Sequence, residues 1–296
     1  MTKRPIKHFL EYLLVLAIYY PSRLFSIDAT SDFFGGLMEK IGPLIKSAAH
    51  RRIKRNIGHC FPEWPEEKVR ETAKKMWNNL GRFTGEFPHL ENLTGDKFWQ
   101  HVTIENKHYL EEIKKSASGG IIISGHFANW EMLPKAAYEY GMPLTLIYRP
   151  ANNPYVNKLL LKARSKSHAG AMFPKGKEST RQVVHILTRG KLAGMLVDQK
   201  ANEGFRLKFF GRDAMTTPGP AQLALKFGCP LLPAVVFREN GTHFRVRVEA
   251  PLEIKKTGDD VKDAEAIMQQ INDIFEKWVR EKPEQWLWLH RRWVEN

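Results

Sequence analysis

Apolar residues along the chain alternate between short β-branched blocks and stripes at helical spacing. Ile121-Ile122-Ile123 predicts a buried strand, broken by Ser124-Gly125. From Ala128 the pattern turns helical, with Met132, Ala136, Ala137 and Tyr140 on one stripe. Leu144–Tyr148, Leu192–Val197, Leu231–Phe237 and His243–Val248 predict further strands. Between them lie helical stretches: one from Asn152 with Val156, Leu159, Leu160 and Ala163 inside, one around Val183–Leu187 closed by Gly190, and one from Pro218 or Pro220 closed by Gly228. This alternation predicts an α/β fold, a mostly parallel central sheet flanked by helices. Upstream, residues 35–56 predict a helix broken or kinked at Gly42-Pro43. Pro65 opens a helix with Val69, Ala73, Met76, Trp77, Leu80 and Phe83 inside. Residues 84–118 are mixed and partly helical, and residues 262–281 form an amphipathic helix around Ile267, Ile271, Ile274, Phe275 and Trp278.

The N-terminus follows another rule. Lys3, Arg4 and Lys7 precede an apolar run from Phe9 to Tyr20, ended by Pro21 and Arg23. The run is short of the roughly 20 residues that a full span needs. No Ala-x-Ala-like cleavage site follows it. Basic flanks and the tyrosines Tyr12, Tyr19 and Tyr20 favour a retained helix at a membrane surface over a buried core helix. The basic cluster Arg51-Arg52-Ile53-Lys54-Arg55 fits lipid headgroups beside it. The tail Trp286-Leu287-Trp288-Leu289-His290-Arg291-Arg292-Trp293 is expected to bury its tryptophans, while His290 or Arg292 could either pack or meet phosphate.

Composition narrows the partners. The 296-residue chain is 43% hydrophobic and carries a formal net charge of +14, which suits nucleic acid, an anionic membrane or acidic proteins. Cys60 and Cys229 are far apart and are expected as reduced thiols.

The polar residues at strand ends carry the candidate chemistry. His126 follows the first strand, Arg149 the second and Asp198-Gln199 the third, and parallel strands present their ends on one side. Glu131 lies five positions after His126, a spacing that does not share a helix face. With His126 in a loop, the chain can fold back so that the carboxylate fixes the imidazole tautomer and leaves the other nitrogen as a general base. Ser124 lies outside any Gly-x-Ser-x-Gly elbow, so the proton would come from a substrate hydroxyl, as in direct acyl transfer from a thioester. A His satisfied by a helix N-terminus beside an ordinary exposed Glu is the commoner outcome of so short a match. Arg149 suits a phosphate; Asp198 could orient a cation; Thr217 and Gly219, in Thr216-Thr217-Pro218-Gly219-Pro220, add a hydroxyl and backbone N–H groups before a helix. No His-Glu-x-x-His or second close His accompanies His126, Glu131 and Asp198, so no metal is expected.

The stretch Ser-Gly-His126-Phe-Ala-Asn-Trp-Glu131 resembles the His-x4-acid signature of the lysophospholipid acyltransferase superfamily. With Tyr148-Arg149-Pro150, Val197-Asp198-Gln199, Phe210-Gly211, Thr217-Pro218-Gly219 and Pro283-Glu284-Gln285-Trp286, it is more specifically similar to the late acyltransferases of lipid A biosynthesis, the lauroyl and myristoyl transferases. The resemblance covers nearly the whole chain. It implies a membrane-anchoring helix over residues 1–30 and a catalytic domain over 31–296, at the cytoplasmic face of a bacterial inner membrane. It implies His126 as base and Glu131 as its orienting acid, acting on a hydroxyl of an acyl chain of the anionic lipid A precursor. An acyl-acyl carrier protein would be the donor, with no cofactor. Arg149 and Arg164 would hold phosphates or developing charge. Asp198, with Gln199, Thr217 and Gly219, would line the acceptor side or assist positioning. The alternatives are a related acyltransferase with a glycerophospholipid or glycolipid acceptor and, from another class, a basic nucleic-acid-binding protein. The second lacks any recognition motif and has its aromatics at core spacing, so no nucleic-acid partner is expected.

Overall fold

The computed structural model describes residues 5–45, 47–115, 118–167 and 170–294. Lys3 and Arg4 of the N-terminal basic group lie outside them.

Four helices lead the chain: α1 (Pro5–Ser22), α2 (Ile27–Ile45), α3 (Ser47–Cys60) and α4 (Glu66–Glu86). The rest alternates as α5 (Asp96–His101), β1 (Val102–Glu105), α6 (His108–Lys114), β2 (Gly120–Ser124), α7 (Met132–Glu139), β3 (Leu144–Tyr148), α8 (Pro154–Ser167) and β4 (Met172–Pro174). It continues as α9 (Lys177–Leu187), β5 (Leu192–Leu196), β6 (Phe205–Phe209), β7 (Arg212–Thr216), α10 (Gly219–Phe227), β8 (Leu231–Asn240), β9 (His243–Val248) and α11 (Asp260–Glu281). Seven strands form one sheet in the order β1-β9-β8-β2-β5-β3-β4. β8, β2, β5, β3 and β4 run parallel, while β9 pairs antiparallel with β8 and carries β1 beside it. The expected α/β class with a mostly parallel sheet is what forms.

Alternation along β2 divides the core. Ile121 and Ile123 face one layer with α3, α4, α9, α10, α11 and the C-terminal tryptophans. Ile122 faces the other, with α7 and residues of α1, α5 and α6. All five residues of β2 are buried, as expected for a central parallel strand covered on both faces.

Several boundaries differ from the sequence pattern. α2 runs through Gly42 and Pro43 rather than breaking there, and α3 starts only at Ser47. Packing explains the continuity, since α2 lies flat along α4. A Cβ on Gly81 would collide with the Phe34 carbonyl, and one on Gly85 with the Thr30 carbonyl. The helix after β2 begins at Met132, not Ala128, because Ala128 sits at φ 44°, outside helical space. Pro65 caps α4 in extended geometry instead of occupying its first turn. The edge strands β1 and β4 are only four and three residues long, too short to stand out, while the β6–β7 hairpin lies outside the predicted elements even though Phe205, Leu207 and Phe209 alternate with Arg206 and Lys208. The hairpin turns on Phe210 and Gly211, at φ 52° and 68°, the left-handed pair that a two-residue hairpin loop demands.

One polar cluster ties the helices to the sheet. Glu86 is fully buried and accepts hydrogen bonds from Ser31, Asn129 and the Arg238 guanidinium. It therefore joins α2, α4 and β8 to the loop after β2. Arg238→Met leaves the Glu86 charge buried without its cation. Such a change costs about 3–5 kcal/mol, and a urea or thermal melt of the variant should show a loss of that size.

Candidate active site

Register brings the site together. β2 and β5 are neighbours, with Ser124 opposite Leu196. Two residues further along each strand end, His126 meets Asp198. The His126 Nδ1 lies 2.7 Å from Asp198 Oδ1, and the His126 backbone N–H donates to Oδ2 at 2.8 Å. The Trp286 indole N–H donates to the same Oδ2 at 2.9 Å. Asp198 is 1% exposed at its side chain and His126 14%. Burial opposes the Asp198 charge. The His126 ring, its ring and backbone hydrogen bonds, and the Trp286 indole outweigh that cost and hold the carboxyl well below the usual carboxylate range. An ionised Asp198 accepts only, so the His126 proton sits on Nδ1 and the lone pair on Nε2.

The carboxylate hydrogen-bonded to the His126 ring is thus Asp198, not Glu131. Between His126 and Glu131 the chain turns inward: Phe127 is fully buried, Ala128 adopts its left-handed conformation, and Asn129 reaches Glu86. Glu131 emerges as the cap of α7, where the Arg164 guanidinium of α8 grips both its oxygens, Nε at 3.1 Å to each and Nη2 at 2.6 Å to Oε1. That fork is filled by a carboxylate. Arg164 therefore stands as a clamp on Glu131 rather than as a free phosphate ligand.

Gln199 lies at the mouth of the pair. Its amide nitrogen is 3.1 Å from His126 Nε2 and 2.8 Å from His290 Nε2. His290 is pushed down to about 4, by burial first and then by the charges of His126, Arg52 and Arg149. Arg149 is exposed at the end of β3. Its charge reaches the site, but β5 stands between β3 and β2. Thr217 and Gly219 are half-buried where β7 leads into α10 and make no hydrogen bond to His126 or Asp198 among the described residues.

The C-terminal segment builds the site as much as the strand ends do. Phe127 pairs with Trp286 in a short antiparallel bridge. The Leu287 N–H donates to the His126 carbonyl, and the Ala128 N–H to that of Gln285. Trp286, Trp288 and Trp293 are buried as expected. Arg292 is buried too, with its guanidinium on the Met215 carbonyl, Thr216 and Asn272, so it is a packing residue. Trp286 as a ligand of Asp198 escaped the sequence reading. The hint was an indole, which can only donate, next to Pro283-Glu284-Gln285. Trp130 also escaped it: the ring stacks on Phe83 at 4.1 Å and stands edge-on to His126 at 5.0 Å, an apolar wall beside the imidazole. No group of three or more metal-ligating side chains occurs among the described residues.

A carboxylate-steered imidazole with a lone pair on Nε2, 14% exposed at its side chain and flanked by the Trp130 ring, is equipped to take a proton from an alcohol. The family described as bacterial lipid A biosynthesis acyltransferase matches residues 3–295. The chain belongs to that family. This acyltransferase is similar to the lipid A biosynthesis lauroyltransferase of Escherichia coli K12, 24% identical over 261 residues, 85% of this chain and 82% of that one. The lipid A biosynthesis palmitoleoyltransferase of the same organism is also 24% identical, over 86% of this chain and 82% of its own. Among solved structures, the 1-acyl-sn-glycerophosphate acyltransferase PlsC of Thermotoga maritima aligns with a TM-score of 0.38 at 12% identity, covering 97% of this chain and 100% of that one.

Asp198→Asn tests the tautomer. The two donors on Oδ2, the His126 amide and the Trp286 indole, would draw the new side-chain oxygen toward them and leave the NH₂ facing Nδ1. Nitrogen-15 NMR of the His126 ring should then find the proton moved from Nδ1 to Nε2; an unchanged tautomer contradicts the assignment.

Proposed function

We propose that this lipid A acyltransferase transfers a fatty acyl chain from an acyl-acyl carrier protein to a hydroxyl on an acyl chain of the lipid A precursor, at the cytoplasmic face of the bacterial inner membrane. The Asp198–His126 pair carries the reading. His126 Nε2 removes the hydroxyl proton as the oxygen attacks the thioester carbonyl. The tetrahedral intermediate collapses with loss of the carrier's thiolate, which takes the proton back from the imidazolium, so His126 ends neutral. Asp198 keeps the imidazolium stable and oriented. Glu131 acts through Arg164, by fixing the head of α7 and so the loop that carries His126. Trp130 offers the acyl chains an apolar surface beside the base. Arg149, exposed at the same edge, is the cation suited to a phosphate of the acceptor.

Surface chemistry supports the setting. Twelve of the sixteen exposed large hydrophobic side chains among the described residues fall within residues 6–45, on α1, α2 and the turn between them. Scattered exposed hydrophobics are ordinary, whereas such concentration marks an interaction face. No described helix is long and apolar enough to cross a membrane, so α1 and α2 would lie in the interface, embedding one side. The net charge of +14 suits both anionic lipid and an acidic carrier.

His126→Ala should lower acyl transfer from a carrier-bound donor to the lipid A precursor by about 10²–10⁴-fold, and Asp198→Asn by about 10⁴-fold, with circular dichroism unchanged. Turnover near wild type in either variant rejects the mechanism. Replacing Leu10 and Leu14 together by Glu should release the protein from anionic vesicles in a sedimentation assay while leaving its melting temperature nearly unchanged; retained binding argues against α1 as the membrane face.

A further inference from the structure

We propose that His290 is a positioning residue: it sets which end of the Gln199 carboxamide faces His126, and thereby keeps His126 a neutral base. This rests on the reading of His126 as the base and adds to it a control on whether that base is ready.

The geometry leaves two self-consistent arrangements. The Gln199 amide nitrogen lies between the two imidazoles, 3.1 Å from His126 Nε2 and 2.8 Å from His290 Nε2. An NH₂ group offers one proton to each, so both ring nitrogens must present lone pairs. His126 can do so while neutral, because Asp198 accepts its Nδ1 proton at 2.7 Å. With the carboxamide turned round, its oxygen would stand between the two rings and each Nε2 would have to carry a proton. His126 would then be protonated on both nitrogens, since Asp198 still demands the proton on Nδ1, and an imidazolium cannot take a proton from a substrate.

His290 decides between these arrangements because it is the other neighbour of the amide. The charged and titratable groups acting on it come from every side of the site: His126 after β2, Asp198 after β5, Arg149 after β3 and Arg52 of α3. Burial and three of these four disfavour a charge on the ring, and Asp198 opposes them. Its backbone is also fixed. Arg52 donates to the Leu289 carbonyl at 2.9 Å and Asn56 to that of His290 at 3.4 Å, so the ring is presented from a strap anchored on α3. A neutral His290 with its proton on Nδ1 presents Nε2 as an acceptor, and so draws the NH₂ end of Gln199 toward both rings. An incoming hydroxyl then displaces only one amide hydrogen bond at Nε2, and finds the lone pair already there.

The test follows the sign of this coupling. His290→Leu removes the acceptor, and the oxygen end of Gln199 becomes free to face His126 Nε2. That favours the protonated ring, so deprotonation requires a higher pH. The acid limb of the pH–rate profile should move up by about 0.5–1 pH unit, the equivalent of one hydrogen bond. The His126 ring nitrogens, followed by NMR without substrate, should titrate with the same displacement. In a Gln199→Leu background His290→Leu should produce no such shift, and His290→Gln, which places an oxygen acceptor near the lost Nε2, should restore most of the wild-type profile. His290→Met serves the same purpose if the leucine variant does not fold. A uniform drop in rate at every pH, or an equal shift with and without Gln199, overturns the proposal. The NMR titration separates the two readings: coupling seen there in a protein without acyl-transfer activity rejects the reaction proposed above and leaves this inference standing.

Discussion

A carboxylate with almost no exposure is the constraint around which the candidate site is arranged. Asp198 at 1% side-chain exposure can remain ionised only if donors surround it. It has three, the imidazole N–H and backbone N–H of His126 and the indole N–H of Trp286. They rest on two separate requirements of the fold. The first two need β2 and β5 adjacent and in register; the third needs the C-terminal segment to cross the loop after β2. Removing any one leaves a buried charge short of a partner, so the orientation of His126 and the placement of the tail are stabilised by the same atoms.

The loop after β2 bears a strain that this arrangement offsets. Ala128 holds φ 44° in a residue with a Cβ, a conformation that costs of order 1–3 kcal/mol. Its N–H is satisfied by the Gln285 carbonyl, and the carbonyl of His126 accepts from the Leu287 N–H. Behind it, Asn129 bonds Glu86, itself held by Arg238, and the Gln285 side chain exchanges two hydrogen bonds with the Arg238 backbone at 2.8 Å each. The loop is fixed from below by a buried ion pair and from above by the tail, and the imidazole itself is held at Nδ1 by Asp198 and at Nε2 by Gln199.

The fold class was legible because strand blocks and helical stripes alternate cleanly, and the strand-end positions of His126, Arg149 and Asp198 followed from the same pattern. Their pairing was not legible. Chain order runs β2, β3, β5, whereas spatial order runs β2, β5, β3, so Asp198 rather than the nearer-in-sequence Glu131 became the partner of His126. The five-residue spacing to Glu131 suggested a fold-back that the inward turn of Phe127 and Asn129 forbids. Trp286 was hidden for a related reason: three tryptophans in a short tail read as core, and all three are buried, yet one also donates to Asp198. Short-range spacing carries helix faces well; it does not carry which strand lies beside which.

The Glu131–Arg164 pair gains meaning from the helix that bears the arginine. α8 holds Arg164 against Glu131 near its C-terminal end, and at its N-terminal end Asn153 donates to the His8 carbonyl and to Glu11 of α1, with Tyr155 packed on Phe9 and Tyr12. A second link runs from Arg23, just past α1, through Glu91 to Lys166 at the foot of α8. One helix thus joins the exposed apolar α1 to the cap of α7 and so to the loop carrying His126. A surface that seats α1 would constrain α8 at both ends, and the clamp on Glu131 with it. The signature acid then has a use that does not depend on touching the histidine: it ties the position of His126 to the helix that carries much of the exposed apolar surface.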